Sequence, residues 1–214
     1  MIVVHGRNTS VNVQMVMWAI AELNLSHKRL DVGGPHGGTD APEFRAKNPH
    51  GLVPAIEDGE TVVWESAAIV RYLAARYGTE TFWPQNPSKR AALDMWAEWC
   101  RSTLYPAFIV NVFLPLVRTP AHERDAAAMA RAFDVLKLLV TRLDARIGKG
   151  PYLAGESFSF GDIFAGQQLY RYFTLGFPRA ETPALEAYFQ RLTQRPAFAE
   201  HMNMSFDSLR HPQA

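Results

Sequence analysis

Glu65 and Ser66 stand side by side ahead of an apolar run spaced as one helical face (Ile69, Val70, Leu73, Tyr77). Two such groups at a helix N-terminus suit an amino acid head group. The carboxylate takes an ammonium, and the hydroxyl with the free amides of the first turn takes a carboxyl. Upstream, Pro54 follows Val53 at the start of a β-prone run, where a missing amide is costly unless that edge faces something other than a strand. A cis Val53-Pro54 bond would turn the Val53 amide and carbonyl outward, where a peptide-like ligand can pair with them. Taken singly, these features also read as ordinary structure: a strand-start proline and a capped helix.

The elements that must hold these residues are legible around them. A strand starting at Val53-Pro54, a tight turn at Asp58-Gly59 and a second strand from Thr61 to Trp64 form a hairpin. The helix that follows takes Ser66 as its cap, with Glu65 at the positive end of its dipole. Before the hairpin, Ile2 to Gly6 reads as a strand, Val11 to Leu23 as a helix ending at a left-handed Asn24, and His27 to Val32 as a second strand. Strand, crossover helix and strand predict a parallel pair. The glycine-dense Asp31 to Asp40 lacks the lysine and hydroxyl of a phosphate cradle and reads as a flexible connection. Asp40 caps a short helix that Asn48-Pro49 ends.

Beyond Gly78 the pattern changes. A breaker-rich stretch with Pro84 and Pro87 is followed only by helical periodicity: one helix capped by Ser88 and bent near Pro106, another from Ala121 to Ile147, a third from Ser159, and one or two between Pro183 and Phe198. Ser159 and Asp162 form a capping box, with Phe158 set against Ile163. The tail after Phe206 is expected to be loosely held. Residues 1–78 thus form one domain, 79–87 a linker and 88–214 an all-helical domain.

Composition narrows the function without choosing it. In 214 residues, 48% are apolar and 20% charged, with a net charge of +1, which gives no electrostatic case for nucleic acid or an anionic membrane. Cys100 is the only cysteine, so no intrachain disulfide can form. No cleavable leader is visible because His5 and Arg7 interrupt the apolar start, and no apolar run approaches a membrane span. A soluble cytoplasmic protein is expected. The seven histidines are scattered without ligand spacing, so no metal site is expected, and no nucleophile elbow is present.

The stretch VPAIEDGETVVWESAAIVRYLAARYG resembles the glutathione-binding half of the cytosolic glutathione transferase family, whose motif runs from a cis proline to a Glu-Ser pair ahead of a helix. Asn48-Pro49-His50-Gly51-Leu52-Val53-Pro54 is similar to the same family's approach to that proline, except that Leu52 stands where lysine is frequent. The Ser159–Asp162 capping box is a hallmark of the family's helical half. The resemblance covers nearly the whole chain and points to the bacterial, serine-type members (theta-, delta- or nu-like).

It implies a thioredoxin-like α/β N-terminal domain joined to an all-α C-terminal domain, with glutathione as co-substrate and no metal. The glutathione sulfur would sit at the start of the first helix, where a hydroxyl and the helix dipole lower its pKa. Ser10 aligns best with the family's catalytic serine and Asn12 with a second polar contact, while Thr9 remains open as the neighbour. Neither tyrosine nor cysteine lies in that loop, and Cys100 reads as structural. Val53, Pro54, Glu65 and Ser66 would bind the tripeptide. His50 would take its glycine carboxylate, with Lys47, His36, Gln14 and Arg7 as weaker candidates. Tyr105, Phe108 and Ile109, near Phe113, would line the slot for a small hydrophobic electrophile, with Trp99 or Arg101 at its rim. The implied activity is conjugation for detoxification by a homodimer. Alternatives are a nu-like disulfide reductase or peroxidase, and a non-catalytic ligand-binding module.

Overall fold

In the computed structural model, which describes residues 1–213, β1 (Ile2–His5) leads into helix α1 (Val11–Glu22), which returns the chain to β2 (His27–Leu30). The two strands pair in parallel with Ile2 opposite His27, and Asn24 takes the left-handed conformation expected of it (φ 52°). A short helix α2 (Pro42–Arg45) follows; its N-cap is Ala41, since the Asp40 carboxylate accepts from Arg45 Nη2 (2.7 Å) instead.

The hairpin comes next. β3 (Ala55–Asp58) runs antiparallel to β1 and to β4 (Thr61–Trp64), giving the order β2-β1-β3-β4. Two details of the sequence reading shift. The ladder starts at Ala55, past the proline, and Asp58 pairs with Thr61, so the turn residues are Gly59 and Glu60. Gly59 has φ +63°, which the first central position of such a tight hairpin requires.

Helix α3 (Ser66–Tyr77) ends the mixed α/β half. Past it the chain is helical. Asn86, not Ser88, caps α4 (Pro87–Trp99): its Oδ1 accepts from Ser88 N at 3.0 Å and Lys89 N at 3.1 Å. Proline favours the first helical position, so the cap falls one residue before it. The chain continues through π-helical Cys100–Leu104 and Pro106–Phe113 into α5 (Leu114–Arg118). Pro106 has no amide to donate, and the bend expected there is replaced by wider turns in the ladder.

Together these segments make one 32-residue helix, Pro87–Arg118, long and apolar enough to cross a membrane by length and composition. That corrects the expectation that no apolar run approaches a span. Its charges crowd before Ser102, leaving Ser102 to Val117 uncharged, and Leu104, Phe108, Val112, Phe113 and Val117 are buried in the core.

The predicted helix from Ala121 is broken. Ala121–Glu123 is a 3₁₀ turn, and α6 (Ala126–Ile147) starts after Asp125, whose carboxylate accepts from Ala128 N at 2.9 Å. The remaining helices are α7 (Phe160–Gly166), α8 (Leu169–Thr174), α9 (Pro183–Thr193) and α10 (Pro196–His201). The tail is held rather than loose. Phe206 is buried, and His211 N donates to Val117 O at 2.8 Å.

What positions a site between the halves is the packing of α1. Trp18, fully buried, meets Phe158 and Phe198 from the helical half, with ring centroids 5.7 and 4.9 Å apart. A Cβ on Gly166 would fall 2.7 Å from the Trp18 ring, so only glycine lets α7 approach this closely. Glu22 accepts from Trp18 Nε1 and from both Nε and Nη2 of Arg195 (2.9, 2.7 and 2.6 Å), a bidentate pair locking the halves together. Gly166→Ala is expected to destabilise the fold by about 1–3 kcal/mol through overpacking, readable in urea unfolding. A neutral result would mean that the contact yields.

Candidate active site

A cavity of about 380 Å³ opens where the start of α1 faces the helical half. One wall comes from the loop after β1 (Arg7, Thr9, Ser10) and the first residues of α1, including Asn12. A second comes from Gly33, Gly34 and Thr39, with Gly51 to Val53 ahead of β3. Across from them stand Tyr105, Ile109, Leu114 and Arg118 of the long helix, Arg171 of α8, and Leu209 of the tail.

Ser10 occupies the N-cap position of α1, yet its hydroxyl makes no cap hydrogen bond. The first amides of a helix have no intrahelical acceptor, so hydroxyl and amides together face the cavity at the positive end of the α1 dipole. The loop is fixed from behind. Gln14, buried, donates to Asn8 O (2.8 Å), while Arg171 donates to Thr9 O (3.0 Å) and to Gln14 Oε1 (3.3 Å). Asn12 Oδ1 accepts from Arg101 Nη1 at 3.3 Å, and Arg101 itself does not line the cavity.

The approach to Pro54 is equally constrained. Asn48, buried, donates to Leu52 O (2.7 Å) and accepts from His50 N (3.1 Å). Gly51 has φ +64°, and a Cβ there would press within about 3 Å of Arg45 and the Thr39 carbonyl. The Val53-Pro54 bond is cis, and Val53 lies outside the β3 ladder. Beyond it, the expected cap is reversed. Glu65 holds the N-cap position of α3 (φ 68°), exposed and with no cap bond, and Ser66 is the first helical residue. The Ser66 Oγ is buried with no hydrogen-bond partner among the described residues. A buried hydroxyl without a partner is rare because it forfeits the solvation it had in water.

Not every predicted residue belongs here. Phe108 is 1% exposed, its ring stacked on Phe177 and packed against Phe113 and the edge-on Tyr172, so it is core, as is Phe113. Ile109 and Tyr105 line the cavity. His50 is exposed and packs edge-on against Trp64, outside the cavity. Lys47 is engaged by Glu57 (2.9 Å), which His5 also contacts (2.6 Å). His36 is exposed beside Asp31, and Gln14 is spent on the loop. Trp99 lines a separate groove with Met95 and Trp96. The glycine-dense connection forms part of the cavity wall, with Arg7 laid along it. Cys100 is buried, and burial pushes its thiol pKa up, away from reactivity. Among the described residues no group of three or more His, Cys, Asp or Glu is placed to hold a metal ion.

Sequence reasoning missed Arg118 and Arg171. Both lie far along the chain in helices with no motif, and only the tertiary packing brings them to the start of α1. Burial pushes the Arg171 pKa down to about 10. Arg7 is also held below its ordinary value, chiefly by burial and then by the Arg118 charge.

Residues 4–81 match the family model described as glutathione S-transferase, N-terminal domain, and residues 104–196 match the corresponding C-terminal domain. The chain is 39% identical over 199 residues to glutathione S-transferase GstB of Escherichia coli (strain K12), covering 92% of this chain and 95% of that one. It is 31% identical to glutathione S-transferase 3 of Zea mays, covering 91% and 90%. Among solved structures, it is similar to the theta class glutathione S-transferase of Xanthomonas axonopodis pv. citri with glutathione bound. That likeness has a TM-score of 0.89 at 41% identity, covering 95% of this chain and 98% of that one.

Proposed function

The chain belongs to the glutathione S-transferase family, and from that premise we propose that it binds glutathione, holds its sulfur as thiolate at the start of α1, and adds it to a small electrophile. The observation that carries this reading is the Ser10 hydroxyl, which sits at a helix start but is not used as a cap. A hydroxyl donating to a sulfur anion, beside the positive end of a helix dipole, favours the thiolate over the thiol. No base of high pKa is needed. The rate gain comes from supplying the nucleophile at neutral pH.

The tripeptide fits the polar groups left without partners. The Val53 amide and carbonyl, beside the cis Pro54, would pair with its main chain. Glu65 would take the γ-glutamyl ammonium, and the orphaned Ser66 hydroxyl its carboxylate. With His50 packed on Trp64, the guanidinium of Arg7 is the better-placed cation for the glycine carboxylate on the cavity wall. Asn12 would add its amide N–H groups near the sulfur. Tyr105, Ile109, Leu114 and Leu209 supply apolar surface for the electrophile.

Mixing the protein with glutathione at neutral pH should produce thiolate ultraviolet absorbance above that of free glutathione. Binding without that absorbance would make the protein a carrier instead. Glu65→Ala is expected to weaken glutathione binding by roughly 1.5–3 kcal/mol, the scale of a charge-assisted hydrogen bond; unchanged calorimetric affinity would reject Glu65 as the ammonium partner.

The same reading takes the working form as a cytoplasmic homodimer. The lone buried cysteine fits a reducing compartment. Met95 (67% exposed), Val62 and Trp64 leave apolar surface for a second copy. Met95→Asp is expected to lower the sedimentation coefficient from dimer to monomer, and no change would remove Met95 from that interface.

A further inference from the structure

Three guanidiniums converge on the cavity, and among the described residues no carboxylate answers them. Arg7, Arg118 and Arg171 all line it, and no Asp or Glu does among the described residues. Among the described residues, arginine ion pairs use Arg29, Arg45, Arg71, Arg76, Arg195 and Arg210. Arg171 is already committed, to Thr9 O, Gln14 Oε1 and the Phe113 ring (4.8 Å). Arg7 is held in place without being neutralised. It lies along Gly34, where a Cβ would fall 2.9 Å from its Cδ, so glycine is what admits it. The Arg118 charge is felt at Arg7, and each of the two lowers the pKa of Arg171. Concentrating like charges at a partly desolvated site is unfavourable unless an anion joins them.

Resting on the transferase reading above, which leaves Arg7 to the glycine carboxylate of glutathione, we propose that the second substrate carries an anionic group, a carboxylate or sulfonate, which Arg118 holds while its electrophilic carbon faces the sulfur at Ser10. Arg118 is the residue that points to the second substrate rather than to glutathione. It closes α5 on the helical wall with Tyr105, Ile109 and Leu114, across the cavity from the Val53 edge that pairs with a peptide main chain. The apolar residues of that wall take the body of the substrate, and the Arg118 guanidinium takes its charged end. Guanidinium binds a planar carboxylate in a fork geometry that a neutral ester cannot satisfy. The positive field also draws an anionic substrate into the cavity. In the reaction the thiolate sulfur forms a bond to the electrophilic carbon, the carbon–halogen bond breaks, and halide leaves with the bonding pair. The arginines keep their protons, and no oxidant or further reactant is involved.

The probes are 4-chloro-3-nitrobenzoate and its methyl ester, each rate corrected for its spontaneous reaction with glutathione at the same pH. In the wild type kcat/KM for the benzoate should exceed that for the ester by about tenfold or more. Arg118→Met should bring the ratio close to one, with Arg118→Lys retaining part of the preference. Equal values in the wild type overturn the proposal. So does an Arg118→Met variant that raises KM for glutathione while keeping the ratio, which would assign this arginine to the glycine carboxylate. A second readout does not depend on turnover: the preformed conjugate S-(4-carboxy-2-nitrophenyl)glutathione should bind more tightly than its methyl ester by calorimetry, and only while Arg118 is present. Equal affinities overturn the anion site. Preference in binding with neither turnover nor thiolate absorbance would sink the transferase reading and leave the anion site standing.

Discussion

Ser10→Ala is expected to lower kcat at neutral pH by roughly tenfold to thirtyfold while leaving glutathione affinity nearly intact. A free cysteine thiol titrates near pH 8.5, so only about 3% is thiolate at pH 7. A hydrogen bond to a charged group contributes roughly 1.5–3 kcal/mol, which corresponds to about one to two pKa units and raises the thiolate share to roughly a quarter to four fifths. A lower pKa also weakens the nucleophile somewhat, which trims the benefit without cancelling it. The sign with pH follows. The wild type should be nearly flat above pH 7, and Ser10→Ala should climb with pH as the thiol ionises unaided. The tripeptide's other proposed contacts, at Val53, Glu65 and Ser66, do not involve Ser10, so affinity should hardly change. If kcat and affinity fell together with an unchanged pH profile, Ser10 would be a structural cap. Thr9→Ala is the control. Should it move the profile instead, the sulfur's partner would be Thr9.

How much of this the sequence reveals depends on how local the cause is. The hairpin, the α3 periodicity and the α1 crossover are each set by residues close together in the chain, and all three are found, the hairpin with its ladder start and turn shifted by one or two residues. Caps are less readable because several candidates stand in a row. Asn86, Pro87 and Ser88 contain two possible caps, and the preference of proline for the first helical turn decides for Asn86. Phe108 and Ile109 illustrate a different failure. They lie in a π-helical segment, whose extra residue per turn shifts side chains off the α-helical spacing, so periodicity could not say which one faces the cavity. Least readable is the arginine trio. Arg7, Arg118 and Arg171 come from a loop and two separate helices, and nothing near any of them in sequence signals the others. The binding edge was therefore visible, and the charge facing it was not.

The largest stability loss is expected from Asp162→Ala, far from the chemistry. This carboxylate is fully buried and accepts from Leu153 N (2.8 Å), Ser159 N (2.8 Å), Ser159 Oγ (3.1 Å) and the Tyr188 hydroxyl (2.9 Å). The capping box read from sequence is thus also the joint between α7, the loop before it and α9. Alanine strands two buried amides and two hydroxyls at once, and removing one side of such a network costs about 3–5 kcal/mol. Burial raises the Asp162 pKa from 3.8 to about 6, against the pull of its donors. Because the folded value lies above the unfolded one, the proton-linked stabilisation is full below pH 3.8 and is lost as pH rises through about 6. Asp162→Asn removes that titration while keeping one acceptor oxygen. The stability gap between wild type and Asp162→Asn, measured by urea unfolding, should therefore narrow as pH rises to about 6 and stay level above it. A gap that widens over the same window would mean that the four donors outweigh burial and hold this carboxylate ionised.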